Sequence, residues 1–239
     1  MPALKEYRSG LDYSYAPGVY PAMECLLRRP ELARRVLIHS ASRGREGIDR
    51  LTALAEERGV RVEEADRALA RISGKENCWA AAVFSKREEE LDPGRPHVLL
   101  HHPGDCGNVG TILRAALGFG IEDVGVIRPC ADPFDPRTVR ASMGSLFQLR
   151  VRMYDGTEAY LAACGQRELY PFMLDASVPM EEALARKGRV WTLIFGNEGS
   201  GLPAEFSRLG QPVRIPSNER IDSLNLAAAA AIGIYSFTR

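Results

Sequence analysis

The sequence predicts an α/β protein, with a smaller N-terminal α/β domain followed by a domain built on a parallel sheet. Three observations lead there. Short apolar runs alternate with stretches whose apolar residues recur at helical spacing, the pattern of strands and helices in a parallel sheet. Residues 85–96 (SKREEELDPGRP) are charged and carry Pro and Gly, so they read as a linker. The chain closes on a long Ala-rich helix predicted from Asp222 onward.

The elements follow in order. Residues 21–29 read as a helix and 35–39 (RVLIH) as a short strand. Residues 48–58 place apolar side chains at helical spacing until Gly59 stops them. Residues 60–62 read as a strand, and the apolar run 79–84 as a buried one. Beyond the linker, residues 98–100 predict a strand, 108–119 a helix and 124–127 a second strand. The alternation continues through 169–174 and 190–195. The predicted domains are 1–93 and 97–239.

With 45% hydrophobic and 26% charged residues in 239, the chain has the composition of a globular protein, which excludes a disordered or fibrous one. The formal net charge is zero, so any nucleic-acid role rests on local basic clusters. Cysteines at 25, 78, 106, 130 and 164 form no C-x-x-C pair, which argues for reduced thiols rather than a zinc site or a disulfide framework. No signal-peptide pattern opens the chain. The longest apolar run, 224–235, falls short of the ~20 residues that span a bilayer. A cytoplasmic protein without metal or membrane partner is expected.

Three stretches of the second domain carry candidate chemistry. The first, residues 108–114 (NVGTILR), follows a strand and opens a helix, where exposed N–H groups make an anion site. Arg114 falls about two turns into that helix; taken alone, it also reads as a surface arginine. The surrounding GDCGNVG is not a G-x-G-x-x-G fingerprint, which argues against a dinucleotide site. In the second stretch, 193–203 (LIFGNEGSGLP), an apolar strand runs into a turn with three glycines. Glycine lets backbone approach a ligand closely, and loops at the carboxyl ends of parallel strands are where such proteins bind ligands. Glu198 reads either as a turn carboxylate or as a group orienting a cation such as Arg114. The third stretch is 213–228 (VRIPSNERIDSLNLAA), with Asp222 or Ser223 as the predicted helix N-cap. Packing of the helix body does not account for Ser223 and Asn225 interrupting an apolar segment.

Together, in this order, the stretches resemble the SpoU (TrmH-type) branch of the SPOUT RNA methyltransferases. The family pattern is N-x-G-x-x-x-R, then G-x-E-G-x-G-L after a strand, then I-P followed by S-L-N. Residues 140–145 (RASMGS) match an intermediate family segment. The resemblance covers 97–239. It implies a deep C-terminal trefoil knot, a homodimer with active sites at the subunit interface, and an S-adenosylmethionine site. Gly196, Ile215 and Leu224 match the positions that hold the cofactor, with Gly199 and Pro216 beside them. Arg114, Asn108, Glu198, Ser223 and Asn225 match the catalytic side. The family assigns hydroxyl activation to the arginine. Because a guanidinium stays protonated and only donates, Arg114 is read here as fixing the ribose 2′-hydroxyl or an adjacent phosphate and stabilising charge developing on oxygen.

Residues 1–93 resemble, more weakly, the RNA-binding N-terminal domain of family members that act on ribosomal RNA, a small α/β fold related to a group of ribosomal proteins. Residues 18–24 fit its start. The H-Q-G motif common near its end is replaced by SGKENCW at 73–79. Between 28 and 50 lie seven arginines against three acidic residues. Arg28, Arg29, Arg34, Arg35, Arg43 and Arg45 are the candidate phosphate contacts, with a solvated helical face as the alternative. Trp79, Tyr13 and Tyr15 are candidate base-stacking groups, although Trp79 also suits a core. His101 and His102 are read as structural or as edge residues near the pocket.

The predicted activity is S-adenosylmethionine-dependent 2′-O-methylation of ribose in RNA, with ribosomal RNA as substrate. The alternatives are the same reaction on transfer RNA, a noncatalytic knotted RNA-binding protein, and base methylation.

Overall fold

The computed structural model describes residues 4–73, 78–175, 178–218 and 220–239. The chain divides into two compact units, one of Met1–Arg87 with Asp132–Gln148, the other of Glu88–Ala131 with Leu149–Arg239.

The first unit opens with β1 (Tyr13–Pro17), α1 (Val19–Arg28), β2 (Ala33–Ile38), α2 (Glu46–Glu57), β3 (Val62–Glu64), α3 (Asp66–Ser73) and β4 (Ala80–Ser85). Its sheet has the order β1-β4-β2-β3. β4 lies antiparallel to both neighbours, whereas β2 and β3 are parallel. The apolar runs seen in the sequence become its middle strands, and Val36, Leu37 and Ala80–Ala82 are fully buried. β1 was not anticipated, because its YSYAP carries no clear period. Gly18 turns β1 into α1 at φ 105°, a backbone state that side chains disfavour.

The second unit comprises β5 (His97–His101), α4 (Cys106–Gly118) and β6 (Asp123–Ile127). After them the chain leaves it for α5 (Pro136–Ala141), then returns through β7 (Arg150–Tyr154), α6 (Thr157–Cys164), β8 (Glu168–Pro171), β9 (Val178–Pro179), α7 (Met180–Arg186), β10 (Trp191–Phe195), β11 (Val213–Arg214) and α8 (Leu226–Phe237). Five parallel strands in the order β7-β6-β5-β10-β8 form its sheet. β5, β6 and β10 are buried along their whole length, as strands covered on both faces must be. α8 packs on α4 and approaches the sheet at a glycine, since a Cβ on Gly233 would stand 2.8 Å from the Phe172 ring and 3.0 Å from that of Phe195.

Three expectations are corrected. The second domain is not contiguous over 97–239. Residues 132–148 belong with the first unit, where the Ser14 hydroxyl donates to the Phe134 carbonyl (2.5 Å), the Gln148 amide donates to Glu24 (3.0 Å) and Phe147 meets Phe84 edge-on. The charged stretch 85–96 is not a free linker either. Leu91 is buried, and the Glu89 N–H donates to the Val151 carbonyl at 3.2 Å. Finally, the closing helix starts at Leu226 rather than near Asp222. Its N-cap is Asn225, whose Oδ1 accepts from the N–H groups of Ala227 (2.9 Å) and Ala228 (3.2 Å). Of the SGKENCW segment, residues 74–77 lie outside the described residues.

Buried polar groups concentrate at the opposite end of this sheet from the glycine loop, where the strands begin. Asp123 accepts from the Arg150 Nε and Nη2 at 2.6 Å each and from the Asp92 N–H at 2.8 Å. His97 Nε2 lies 2.7 Å from the Asp92 carbonyl and Nδ1 2.9 Å from the Tyr160 hydroxyl, so a neutral ring protonated on Nε2 satisfies both. Burial and the nearby Arg167 guanidinium push its pKa down to about 4.

Candidate active site

The site stands at the carboxyl ends of β5 and β10, where parallel sheets place ligands. β10 delivers Gly196 into a tight loop closed by two backbone hydrogen bonds between Asn197 and Gly201 (3.0 and 3.1 Å). A Cβ on Gly196 would lie 2.2 Å from the Gly201 carbonyl carbon and 2.4 Å from the Leu202 nitrogen, so only glycine fits. From this loop Glu198 reaches the loop that follows β5. Its carboxylate accepts from the N–H groups of Gly104 (2.8 Å) and Asp105 (3.1 Å) and from the Asn108 side-chain amide (3.0 Å). Partial burial raises the pKa of this carboxyl, but those donors outweigh it and hold the group below the usual carboxylate value.

Asn108 lies in the first turn of α4. The Asp105 side chain caps this helix by accepting from the Asn108 N–H at 2.8 Å. The Asn108 Oδ1 accepts from the Asn225 amide at 3.1 Å, and the Asn225 Oδ1 caps α8. Glu198, Asn108 and Asn225, from three separate motifs, thus form one chain of hydrogen bonds. Arg114 is exposed on α4 and has no partner among the described residues. The expected Glu198–Arg114 pairing is therefore absent, because backbone amides and Asn108 occupy the Glu198 oxygens.

Beside this chain opens a cleft. Its walls include Phe195, Gly196, Gly199, Ile215, Ser223 and Leu224. Gly196, Ile215 and Leu224, expected to converge, do so. Pro216 is exposed and outside the lining, whereas the neighbouring Ser217 contributes to it.

Sequence reasoning passed over Asn197 and gave His102 only an edge position near the pocket. The Asn197 Oδ1 accepts from the Gly199 (2.9 Å) and Ser200 (3.2 Å) N–H groups, and its Nδ2 donates to the His102 carbonyl at 2.8 Å. His102 takes a left-handed φ of 54°, uncommon outside glycine. The G-N-x-G spacing was the available signal, since asparagine folds back onto the amide two residues on.

In the first unit, the six candidate arginines do not form one free stripe. Arg28 meets Glu24 (3.4 Å), Arg34 meets Asp12 (2.7 Å), Arg35 meets Glu63 (2.7 Å) and Arg43 pairs with Glu64. Arg29 donates to the Phe147 carbonyl at 3.2 Å. The Arg45 guanidinium lies over the Trp79 ring, 4.0 Å from its centroid, and His39 meets the same ring edge-on. Tyr15 is fully buried; Tyr13 touches it edge-on.

The sequence profile of the SpoU rRNA Methylase family matches residues 95–235. The chain belongs to this family. Among curated members, it is 33% identical over 158 residues to the 23S rRNA (guanosine(2553)-2'-O)-methyltransferase RlmP of Bacillus subtilis, a match covering 65% of this chain and 62% of RlmP. It is 32% identical to the 23S rRNA (uridine(2479)-2'-O)-methyltransferase of Streptomyces viridochromogenes, over 59% of this chain and 52% of that protein. The chain thus spans between half and two thirds of the length of these two relatives. Among solved structures, the AdoMet-bound rRNA methyltransferase of Sinorhizobium meliloti superposes with a TM-score of 0.78 at 27% identity, covering 95% of this chain and 87% of that one. Members of the SpoU family thus share this chain's α/β fold with a parallel sheet. Among the described residues, no helix is long and apolar enough to cross a membrane.

Proposed function

We propose that this SpoU family member transfers a methyl group from S-adenosylmethionine to a ribose 2′-hydroxyl of ribosomal RNA. The observation that carries this reading is the meeting of Glu198, Asn108 and Asn225 beside the glycine-walled cleft. The cleft fits the cofactor: the absent side chain at Gly196 lets a flat group lie against backbone, Ile215 and Leu224 supply apolar walls, and Ser217 and Ser223 supply polar ones. Gly196, Gly199, Ile215, Ser223 and Leu224 would hold it. When bound, it supplies an electrophilic methyl on a cationic sulfur.

The chain's own groups do the rest. Glu198 pins the loop after β5, fixing the first turn of α4 and hence the direction in which Arg114 projects. Arg114, free of protein partners among the described residues and exposed to solvent, donates to the ribose hydroxyl or its phosphate and stabilises negative charge as the hydroxyl proton passes to water. Binding the two reactants side by side replaces a bimolecular encounter with an oriented one. The unit of Met1–Arg87 with Asp132–Gln148 serves as the RNA-binding part and the unit of Glu88–Ala131 with Leu149–Arg239 as the transferase, in a cytoplasmic homodimer. Apolar side chains exposed on α8, Ile232 and Tyr235, support a covering subunit. The insertion of β10 between β5 and β8, with α8 packed on α4, supports a trefoil knot.

Incubation with tritiated S-adenosylmethionine and separated ribosomal and transfer RNA tests the reading. Label in ribosomal RNA, at a linkage resistant to alkali, is expected because a methylated 2′-oxygen cannot attack its phosphate. Label in transfer RNA would change the substrate, label on a base would change the chemistry, and no label would refute both.

A further inference from the structure

The cleft wall and the stretch that leads into Asn108 and α4 are separate parts of the chain. The wall is the glycine loop after β10; residues 102–108 after β5 line no part of the cleft. Two side chains cross between them. Glu198 does so with an exposed carboxylate. Asn197 does so with an amide that works in both directions: its oxygen holds the interior of the glycine loop at Gly199 and Ser200, and its nitrogen holds the His102 carbonyl. The same nitrogen lies 3.4 Å from the Glu198 Oε2.

His102 meets this amide at a cost. A non-glycine residue at φ 54° is strained, and such strain persists only where surrounding contacts enforce it. Here the His102 N–H donates to the Ile127 carbonyl (3.3 Å), ring Nδ1 lies 3.2 Å from the Pro129 carbonyl, and the ring packs against His101. The left-handed turn aims the carbonyl at Asn197 and releases the chain toward Gly104 and Asp105, whose amides face Glu198.

We infer that Asn197 is a positioning residue that transmits occupancy of the cleft to the 102–108 loop through the His102 carbonyl. A ligand against Gly196, Gly199 and Ser200 stiffens the glycine loop. The Asn197 amide passes that stiffening to residues outside the cleft, so that Asn108 and the start of α4, already aligned by Glu198, are held more firmly when the cleft is filled. This rests on the cofactor reading above, but not on the identity of the RNA.

Two substitutions remove the donor and keep an acceptor for the loop interior. Asn197→Asp retains the oxygen, while Asn197→Ser retains a shorter one without adding charge. Amide hydrogen exchange of the full-length protein, with and without S-adenosylhomocysteine, is the readout, with calorimetry alongside. In the unmodified protein, S-adenosylhomocysteine is expected to protect both 196–201 and 102–108. In each variant, 196–201 stays protected while protection of 102–108 falls by more than half, and S-adenosylhomocysteine binds about five- to tenfold more weakly, as loss of one hydrogen bond predicts. Retention of 102–108 protection in both variants, or its absence in the unmodified protein, overturns the inference and leaves the cofactor reading intact. Failure of the unmodified protein to bind S-adenosylhomocysteine overturns both. A melting temperature unchanged from the unmodified protein separates loss of transmission from loss of folding.

Discussion

The Glu198 carboxylate accepts a hydrogen bond at 3.0 Å from the Asn108 amide, ninety residues earlier in the chain. That bond joins the loop after β10 to the first turn of α4. Glu198→Gln replaces one acceptor oxygen with an NH2 group, which then faces the Gly104 or Asp105 N–H. The expected loss is about 1–3 kcal/mol, or roughly 5- to 150-fold in kcat/KM for methyl transfer to ribosomal RNA. Turnover within a factor of two of the unmodified enzyme would refute the role.

Acid should act on the same bond. The Glu198 pKa lies below its unfolded value, so its contribution is complete above the ordinary glutamate range and is lost as pH falls through the depressed folded value. Protection of 102–108 against hydrogen exchange should therefore persist at pH 5 and disappear at lower pH. Its loss between pH 7 and 6 would contradict this.

Arg114 lies outside that network and holds no partner among the described residues. Arg114→Ala should leave the melting temperature and S-adenosylhomocysteine affinity nearly unchanged while lowering kcat by about 100-fold or more. Arg114→Lys keeps the charge but loses the fork, and should recover only part of the rate. Near-normal turnover of the alanine variant would remove Arg114 from the mechanism.

Gly196→Ala tests the cleft wall. The added methyl would lie 2.2 Å from backbone that no side-chain rotation can relieve, so the loop must move. S-adenosylhomocysteine binding should vanish in calorimetry, with a stability loss of about 1–3 kcal/mol in denaturant titration. Binding at the unmodified affinity would show that the wall lies elsewhere.

Two buried histidines set a stability limit in acid. Burial, aided by Arg167 at His97 and by His102 at His101, pushes both pKa values down to about 4. The unfolded chain protonates these rings near pH 6.5. Stability is then complete above pH 6.5 and declines as pH falls from 6.5 toward 4, by up to about 1.4 kcal/mol per pH unit for each histidine. Urea titrations across that window should show a shallower decline for His97→Gln than for the unmodified chain. Parallel profiles would contradict the assignment.

Much of the site was legible in the sequence because its chemistry is local. Asn108, Gly196, Glu198, Ile215, Leu224 and Asn225 sit in short motifs whose residue types and spacing carry their use. What escaped depends on chain path. The partner of Glu198 is Asn108 rather than Arg114, because α4 turns the arginine outward while its first turn faces the carboxylate. The cap of α8 is Asn225 rather than the expected Asp222 or Ser223, because the helix starts at Leu226 and the Asn225 Oδ1 accepts from its first free N–H groups while Nδ2 reaches Asn108. The arginine-rich stretch looked like one basic face, yet β2 and its flanking loops distribute Arg34, Arg35 and Arg43 to separate acidic partners.

The sequence by itself determined the alternation of strands and helices, the family and the residue types at the cleft, because apolar period and glycine spacing act over a few neighbouring residues. Only the tertiary structure decided the strand order β7-β6-β5-β10-β8, the excursion of residues 132–148 into the first unit, and the bonds from Asn197 to His102 and from Glu198 to Asn108. Those joins link residues about ninety positions or more apart, and at such distances packing of the whole core, not local preference, selects which groups meet.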